Sequence, residues 1–211
     1  MEKPQERPDF PSLFPEVFVK EIPEVLPPLR PILHRTVLKD ATKHIKTPIF
    51  QCPDTLLVRF KEWIDKSIAA GIRKRERAPE AASIFVQAKP DGRIRPLVDL
   101  RSSNQNTEAH HSRIPNQQTI LSALARGKFR SKIDLSDAYF QTRVHPDDVK
   151  YNTIKTPLSL FTSQVMMQGD MNAPATVVTV MEGLFHKELG DYVFVYIDDI
   201  FIFSNTVKDH I

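Results

Sequence analysis

Two apolar runs flank a pair of carboxylates near the end of the chain, and their pattern predicts a β-hairpin. Residues 192–197 and 200–203 are almost entirely β-branched or aromatic, and Asp198 and Asp199 fall between them. Such runs are typical of strands that are buried on both faces. A buried carboxylate needs a cationic partner or a metal, and residues 191–205 contain no Lys or Arg. The tip is therefore a candidate divalent-cation site, although an ordinary exposed Asp-Asp turn explains these residues equally well.

A third carboxylate, Asp134, ends another predicted strand that begins near residue 130 and leads into a helix. If that strand lies beside the hairpin, Asp134 joins Asp198 and Asp199 around a shared pair of divalent cations. Two such cations can stabilise the attacking and leaving oxygens of a phosphoryl transfer. The other role that suits Asp134 is that of a helix N-cap.

Periodicity and turn residues predict a first helix and a second hairpin. The helix begins at Pro53-Asp54 and closes at Gly71. Its buried face is expected to carry Leu56, Leu57, Phe60, Trp63, Ile64 and Ile68. Residues 83–88 and 94–100 predict a hairpin across Pro90-Asp91-Gly92.

Two further helices are predicted in the second half of the chain. One spans about 116–126, with Gly127 as its stop and Ile120, Leu121 and Leu124 facing inward. The other begins at Asn172, has Pro174 in its first turn and runs to about 189. Four consecutive β-branched residues at 177–180 weaken the helical prediction in that segment.

Composition limits the classes of protein that this chain can belong to. It has 211 residues and a net charge of +3, so any nucleic-acid site must be a local basic patch. The single Cys52 fits a reducing compartment, and no apolar run is long enough to span a bilayer. Ten of the 17 prolines lie in the first 53 residues, which predicts an N-terminal segment that runs extended along another surface or is partly disordered.

Several motifs together resemble a known family. In their order and spacing, SKIDLSDAYFQ, QGDMNAPAT and YVFVYIDDIFIFS, with LPPLRP and SIFVQAKPDGRIRPLVDLRSSNQ upstream, resemble the reverse transcriptase of LTR retrotransposons of the Ty3/Gypsy type. The resemblance covers about residues 22–205. It implies an α+β fold, the fingers and palm of a polymerase right hand, in which the palm is a split βαβ sheet of the ferredoxin or RRM kind.

The resemblance also implies a division of the chain into units. A proline-rich extended linker is expected over 1–50, fingers over 51–128, and a palm over 129–211 with an excursion into the fingers near 145–170. Since the sequence ends at Ile211, the thumb is expected outside it, and this segment alone is expected to be weakly active or inactive.

The resemblance assigns roles to individual residues. Asp134, Asp198 and Asp199, with the backbone carbonyl of Leu135, would hold two Mg²⁺, for which Mn²⁺ can substitute. For nucleotide binding, it assigns the triphosphate to Lys89 and Arg95, sugar selection to Tyr139, and contacts with the nucleotide and template base to Gln168 and Gly169. Beyond the resemblance, the basic charge of Arg73, Lys74 and Arg75 makes them candidates for template phosphates, and Tyr196, just before the carboxylate pair, is a candidate support of the primer terminus.

Plainer roles exist for the same residues. The basic residues can form solvated turns or a nuclear-localisation-like run, and both tyrosines can be core aromatics. The sequence also departs from the family at Pro90, where a second Lys is common, and at 177–180, where Phe-Gln and a basic residue are usual.

The sequence therefore predicts an RNA-directed DNA polymerase domain of a retrotransposon polyprotein. Its expected partners are an RNA or DNA template with a primer, dNTPs, and neighbouring thumb, RNase H, protease and integrase domains, with no membrane. The expected location is intracellular, in cytoplasmic virus-like particles, in the nucleus, or in both. A catalytically inactive nucleic-acid-binding remnant is the alternative.

An RNA-dependent RNA polymerase would share the paired carboxylates. It predicts a Gly before Asp198 and a second Asp five residues after Asp134, but Ile197 and Tyr139 stand at those positions.

Two geometric expectations follow from the polymerase prediction. Asp134 and Asp198 should be close enough to share an ion. Lys89, Arg93, Arg95 and part of the 73–77 cluster should border the same cleft as the three carboxylates.

Overall fold

Two β-sheets with helices packed against them organise the chain. The computed structural model describes residues 9–19, 24–90, 92–112 and 116–210. The helices are α1 (Phe10–Leu13), α2 (Asp54–Ala69), α3 (Arg101–Asn106), α4 (Gln117–Leu124) and α5 (Ala173–Leu184). The strands are β1 (Arg73–Arg75), β2 (Ala82–Ala88), β3 (Ile94–Asp99), β4 (Phe129–Asp134), β5 (Thr153–Lys155), β6 (Leu160–Ser163), β7 (Val193–Tyr196) and β8 (Asp199–Ser204). Within the described ranges, no helix combines the length and hydropathy that crossing a membrane requires.

The first sheet has five strands in the order β1-β6-β5-β2-β3. β2 and β5 are parallel, and the other neighbours are antiparallel. The predicted hairpin is confirmed as β2–β3, in which Gln87 lies opposite Arg95. At its turn, Gly92 has a φ of 80° and donates its N–H to the carbonyl of Lys89 at 3.0 Å. Asp91, predicted in this turn, lies outside the described residues.

Helix α2 covers this sheet, and its prediction is largely confirmed. Leu56, Phe60 and Ile64 are buried in one core with residues of β2, β5 and β6, and Trp63 packs at the edge of that core. The expectation that Ile68 is buried is wrong, since its side chain is 38% exposed. The core ends before the last turn of the helix.

The second sheet has three antiparallel strands in the order β4-β8-β7. β4 and β7 are therefore parallel with β8 between them, and the chain passes through α5 on its way from β4 to β7, which is the predicted split βαβ arrangement. Val193, Val195 and Ile200 pack with residues of α5, including Met181, on one face. The opposite face packs against α4, where Ile120 meets Phe194.

Helix α4 differs from its prediction at two positions. Leu121, expected to face inward, is 64% exposed, whereas Ile120 and Ala123 are buried. The helix ends at Leu124, so Gly127 is not its stop. A Cβ built on Gly127 would lie 2.8 Å from the Cβ of Phe203, so this glycine permits a close approach to β8.

Helix α5 is continuous through the four β-branched residues and ends at Leu184 rather than near 189. Val177, Val178 and Val180 are buried there, so their packing offsets their weak helix propensity. Asn172 occupies the N-cap position, but its side chain does not cap the helix. It accepts a hydrogen bond from the backbone N–H of His110 and donates one to the carbonyl of Glu108.

The described stretch 24–50 contains no helix and no strand beyond isolated bridges, and backbone contacts tie it to the rest of the chain. The N–H of Leu26 donates to the carbonyl of Ala70 at 3.1 Å. His34 forms a parallel bridge with Val144, and Leu38 forms an antiparallel bridge with Thr107. The segment thereby links regions that are far apart in sequence.

Candidate active site

The three predicted carboxylates, Asp134, Asp198 and Asp199, lie at one end of the three-stranded sheet, where β4 ends and β7 turns into β8. We call this end of the sheet the carboxylate edge. The β4–β8 register places Asp134 directly opposite Asp199. Directly opposite residues of an antiparallel pair lie on the same face. The N–H of Leu135 donates to the carbonyl of Asp198 at 3.2 Å, so the strand carrying Asp134 also contacts the hairpin tip. The prediction that this strand lies beside the hairpin is confirmed.

A two-residue turn sets the position of Asp198. Tyr196 and Asp199 form the last pair of the β7–β8 hairpin, with Ile197 and Asp198 between them. Ile197 has a φ of 58°, and a positive φ at the first central residue is a feature of type II′ turns. A β-branched residue rarely adopts this conformation, and strained residues of this kind cluster at functional sites.

Lys132 lies among the carboxylates, which sequence reasoning missed. Its Nζ is 2.8 Å from Oδ2 of Asp199, so the expectation that no basic neighbour neutralises these groups is wrong. The hydrogen bond to Asp199 raises the pKa of Lys132, and the charges of Asp134 and Asp198 add to the effect. The signal was available, because Lys132 stands two positions before Asp134 and a strand places such residues on one face.

The alternative role of Asp134 as an N-cap is wrong. β4 is followed by a short 3-10 helix at Ala138–Gln141, and its N-cap position is held by Asp137 in the left-handed region, with a φ of 52°.

The donor atoms at this edge are chemically suited to hard divalent cations. Carboxylate and backbone carbonyl oxygens are the ligands that Mg²⁺ and Mn²⁺ prefer. Within the described ranges, no three acidic, His or Cys side chains have the spacing of a metal cluster. Lys132 supplies the positive charge that partly balances the three carboxylates. A shared ion between Asp134 and Asp198 stays a prediction.

Tyr139 is half-buried between the carboxylates and the core. It packs against a cluster that contains Met166 and Val177. Burial raises the pKa of Tyr139, and the negative charge of Asp198 raises it further. The ring therefore lies both in the core and within the electrostatic field of Asp198, which is compatible with sugar selection and with a core role alike.

Tyr196 packs beside Ile120 and Phe201 in the core between α4 and the sheet. Its hydroxyl accepts a hydrogen bond from Nε2 of Gln117 at 3.0 Å. The core role expected for this residue is thus present, and its contact with a primer stays a prediction.

A cleft of about 1520 Å³ gathers the predicted phosphate-binding residues. Lys89, Arg93 and Arg95 line it together with Arg73 of β1. Its other walls include Gln168, Gly169, Asp137, Phe140 and Gln141. The basic residues expected in one cleft do line it together. The expectation that the three carboxylates border the same cleft is wrong, because none of them is among its lining residues.

The loop that carries Gln168 and Gly169 is held from two sides. Gly169 has a φ of 101°, and its carbonyl accepts a hydrogen bond from Nδ2 of Asn104 at 2.9 Å. Nε2 of the buried His34 lies 3.3 Å from Oδ2 of Asp170. Burial alone would raise the pKa of Asp170, but the hydrogen bond and charge of His34, together with the backbone N–H of Asn172 and the charge of His110, outweigh it, so the pKa lies below its ordinary value. No local sequence signal pairs His34 with Asp170, since they are 136 positions apart.

The basic cluster at 73–77 is not uniform. Lys74 and Arg75 are exposed, and the guanidinium of Arg75 lies 5.6 Å from the ring centroid of Phe161. Arg73 is only 3% exposed. It is therefore not part of the open basic surface that was expected for template contacts.

Comparison with known proteins identifies the family. The family model described as reverse transcriptase (RNA-dependent DNA polymerase) matches residues 87–211, more than half of the chain. The chain belongs to the reverse transcriptase family, and it is a domain of the kind found in retrotransposon and retroviral polyproteins.

Its relatives include long polyproteins. The chain is 26% identical over 189 residues to a putative enzymatic polyprotein of Cassava vein mosaic virus, covering 84% of this chain and 29% of that protein. It is 23% identical over 210 residues to the Transposon Tf2-3 polyprotein of Schizosaccharomyces pombe, covering 99% of this chain and 16% of that protein. The chain thus spans less than a third of the length of either curated relative.

Solved structures of a foamy viral enzyme share the fold. The crystal structure of a Prototype Foamy Virus protease-reverse transcriptase mutant has a TM-score of 0.79 at 18% identity, over 95% of this chain and 27% of that one. A foamy viral protease-reverse transcriptase in complex with an RNA/DNA hybrid also has a TM-score of 0.79, at 20% identity, with the same coverage of both chains. The predicted α+β fold is confirmed.

Proposed function

We propose that this chain supplies the nucleotidyl-transfer centre of an RNA-directed DNA polymerase within a retrotransposon polyprotein. The observation that carries the proposal is the meeting of Asp134, Asp198 and Asp199 at one sheet edge, since they come from segments 64 residues apart in sequence. Like charges are costly to hold together unless cations bind between them, and this cost favours a site built for divalent ions.

Asp134, Asp198 and Asp199, with the carbonyl of Leu135, would hold two Mg²⁺, with Mn²⁺ as a substitute. When bound, such ions lower the pKa of an attacking hydroxyl and neutralise charge on the leaving phosphates. Lys132 holds one carboxylate oxygen of Asp199 and so orients that side chain. The strained turn at Ile197 presents Asp198 at the tip.

The cleft would receive the incoming dNTP. Lys89 as a point charge and Arg95 as a forked donor suit the triphosphate. Gly169 has no side chain to obstruct a base pair, and Gln168 beside it can donate to a sugar or base edge. Tyr139 would exclude a 2′-hydroxyl by steric overlap, and the effect of the Asp198 charge on the pKa of Tyr139 supports this placement.

Template and primer would lie along the exposed basic residues and the carboxylate edge. Lys74 and Arg75 are exposed and would contact backbone phosphates, and Tyr196, directly before the Ile197–Asp198 turn, would support the primer terminus. We assign a linker to 1–50, fingers to 51–128 and a palm to 129–211, with an excursion into the fingers near 145–170. Thumb, RNase H, protease and integrase domains of the polyprotein would be its neighbours, in virus-like particles or the nucleus.

Primer extension tests this function. A protein that carries this chain and the sequence following it in its reading frame should add dNTPs to a DNA primer on an RNA template when Mg²⁺ is present. Asp198→Asn should reduce this addition to background, because a neutral amide is a far poorer metal ligand than a carboxylate. Asp191→Asn is the matched control and should leave the addition unchanged, since Asp191 is exposed and lies outside the carboxylate edge.

The alternative function is a nucleic-acid-binding remnant. It predicts that the same protein binds a primer-template but adds no dNTP with either Mg²⁺ or Mn²⁺. That result would replace the polymerase proposal.

A further inference from the structure

Arg73 is a buried cation that has no acidic partner within the part of the chain that the structure describes. Its side chain is 3% exposed, and burial lowers its pKa to about 10 with no carboxylate opposing the effect. None of the ion pairs among the described residues includes it. An unpaired buried charge is costly, so its retention in the wall of a cleft calls for a reason.

The contacts of Arg73 compensate for this cost only in part. Its guanidinium carbon lies 4.2 Å from the ring centroid of Trp63, a cation–π arrangement. One terminal nitrogen donates to Oγ of Ser67 at 3.0 Å. The hydroxyl of Ser67 in turn donates to the carbonyl of Trp63 at 2.8 Å. Nε of Arg73 is buried and has no hydrogen-bond partner among the described residues, so part of the donor capacity of this guanidinium is unused.

Arg73 lies in the wall of the same cleft as the predicted triphosphate residues. Lys66, Lys89 and Arg95 also line this cleft, and its acidic lining residues are Glu24 and Asp137. The lining of the cleft therefore carries an excess of positive charge, which favours an anion there.

We infer that Arg73 binds the terminal phosphates of a nucleoside triphosphate, or the pyrophosphate that its reaction releases. This inference rests on the proposed function, since it extends the triphosphate site from Lys89 and Arg95 toward α2. A forked guanidinium matches phosphate oxygens with two parallel donors. Its burial favours a small anion that enters the cleft, whereas the exposed Lys74 and Arg75 suit a nucleic-acid strand.

The chain carries its own reporter for this site. Trp63 is its single tryptophan, and its ring stacks against the guanidinium of Arg73. Titration of the full chain with inorganic tripolyphosphate, without divalent metal, should produce a saturable change in tryptophan fluorescence. Arg73→Met should weaken this binding by about tenfold or more, the size expected for a lost charge-assisted contact. Lys61→Met removes one exposed positive charge from α2 outside the cleft and should leave the affinity unchanged.

Three further measurements keep the inference falsifiable. Arg73→Lys retains the charge and should recover part of the affinity, even if Arg73→Met melts too early to be titrated. dTMP, which lacks the terminal phosphates, should bind equally to the wild-type chain and to Arg73→Lys. A single-stranded oligonucleotide should bind independently of Arg73.

The inference is overturned if tripolyphosphate leaves Trp63 fluorescence unchanged, or if both Arg73 variants bind it as tightly as the wild-type chain. It is also overturned if the oligonucleotide, rather than tripolyphosphate, depends on Arg73. None of these titrations requires primer extension. A chain that binds tripolyphosphate through Arg73 but never extends a primer would contradict the proposed function alone.

Discussion

At the residue scale, Lys132 determines how the carboxylate edge balances its charge. It reaches Asp199 at 2.8 Å and also interacts with the charges of Asp134 and Asp198. A divalent ion that binds these carboxylates must compete with this ammonium group.

Lys132→Met should therefore tighten Mn²⁺ binding several-fold while lowering the melting temperature in metal-free buffer, because the three carboxylates then repel one another. Calorimetric titration and thermal melting measure the two effects. Lys128→Met, which changes an exposed lysine just before β4, is the control. Equal Mn²⁺ affinity in Lys132→Met and the wild-type chain would show that Lys132 does not compete for the site.

Tyr139 carries the second prediction at this scale. Its ring lies near Asp198 and also packs in the core. If the protein used for primer extension adds dNTPs as proposed, Tyr139→Ala should raise rNTP incorporation relative to dNTP incorporation, because the steric barrier to a 2′-hydroxyl is removed. Competition assays on one template measure the ratio. Unchanged discrimination with dNTP activity intact would leave Tyr139 as a core residue.

At the element scale, the weak helix propensity of the β-branched residues in α5 opposes the stability gained by burying them. Val177 is 1% exposed, whereas Thr179 is exposed and its hydroxyl donates to the carbonyl of Ala175. Val177→Ala should lower the free energy of unfolding by about 2 kcal/mol through lost packing. Thr179→Ala should raise it by about 0.5 kcal/mol, because alanine is the better helix former. Chemical denaturation gives both values. If Val177→Ala instead raised the free energy of unfolding, helix propensity would contribute more to stability at this position than the burial of the valine side chain.

Local sequence patterns predicted the positions of the helices and strands better than they predicted which side chains of each helix are buried. The β2–β3 and β7–β8 hairpins and helix α2 follow from alternation, periodicity and turn residues within short windows. Ile68 and Leu121 satisfy the helical period but are exposed, because the core that each helix meets is narrower than its apolar stripe. The positive φ of Ile197 was not predictable either, since β-branched residues disfavour it.

Contacts between distant segments account for the features that sequence reasoning missed. The pairing of β4 with β8, which places Asp134 opposite Asp199, followed from two apolar strands that each end at a carboxylate. The pairing of His34 with Asp170 and the stacking of Arg73 on Trp63 depend on how whole segments pack. No pattern within a short window records them.

At the scale of the whole molecule, His34 ties the N-terminal segment to the loop of Gln168 and Gly169. Its ring contacts Asp170 at Nε2 and Thr176 at Nδ1, at 3.3 and 2.9 Å. The pKa of Asp170 is lower in the folded chain than the ordinary value of 3.8, so its ionised carboxylate stabilises the fold when the pH is above 3.8. This stabilisation is lost as the pH falls through the lower pKa of the folded chain.

Asp170→Asn should therefore lower the melting temperature near neutral pH. Below about pH 5, the melting temperature of this variant should fall less steeply with decreasing pH than that of the wild-type chain. Thermal melting across this range measures the slope. Asp191→Asn, which changes an exposed carboxylate far from His34 in sequence, serves as the matched control and should follow the wild-type curve. Identical acid slopes for Asp170→Asn and the wild-type chain would show that this pair does not govern acid stability.

The central claim is that Asp134, Asp198 and Asp199 form one divalent-cation site, and anomalous scattering from Mn²⁺ tests it most directly. Crystals of the chain with Mn²⁺ and a dNTP should show a peak within about 2.5 Å of carboxylate oxygens from both Asp134 and Asp198, a normal ligand distance for such ions. The same experiment on Asp198→Asn should lose that peak. Peaks confined to other acidic residues, with Lys132 still the partner of Asp199, would contradict the claim.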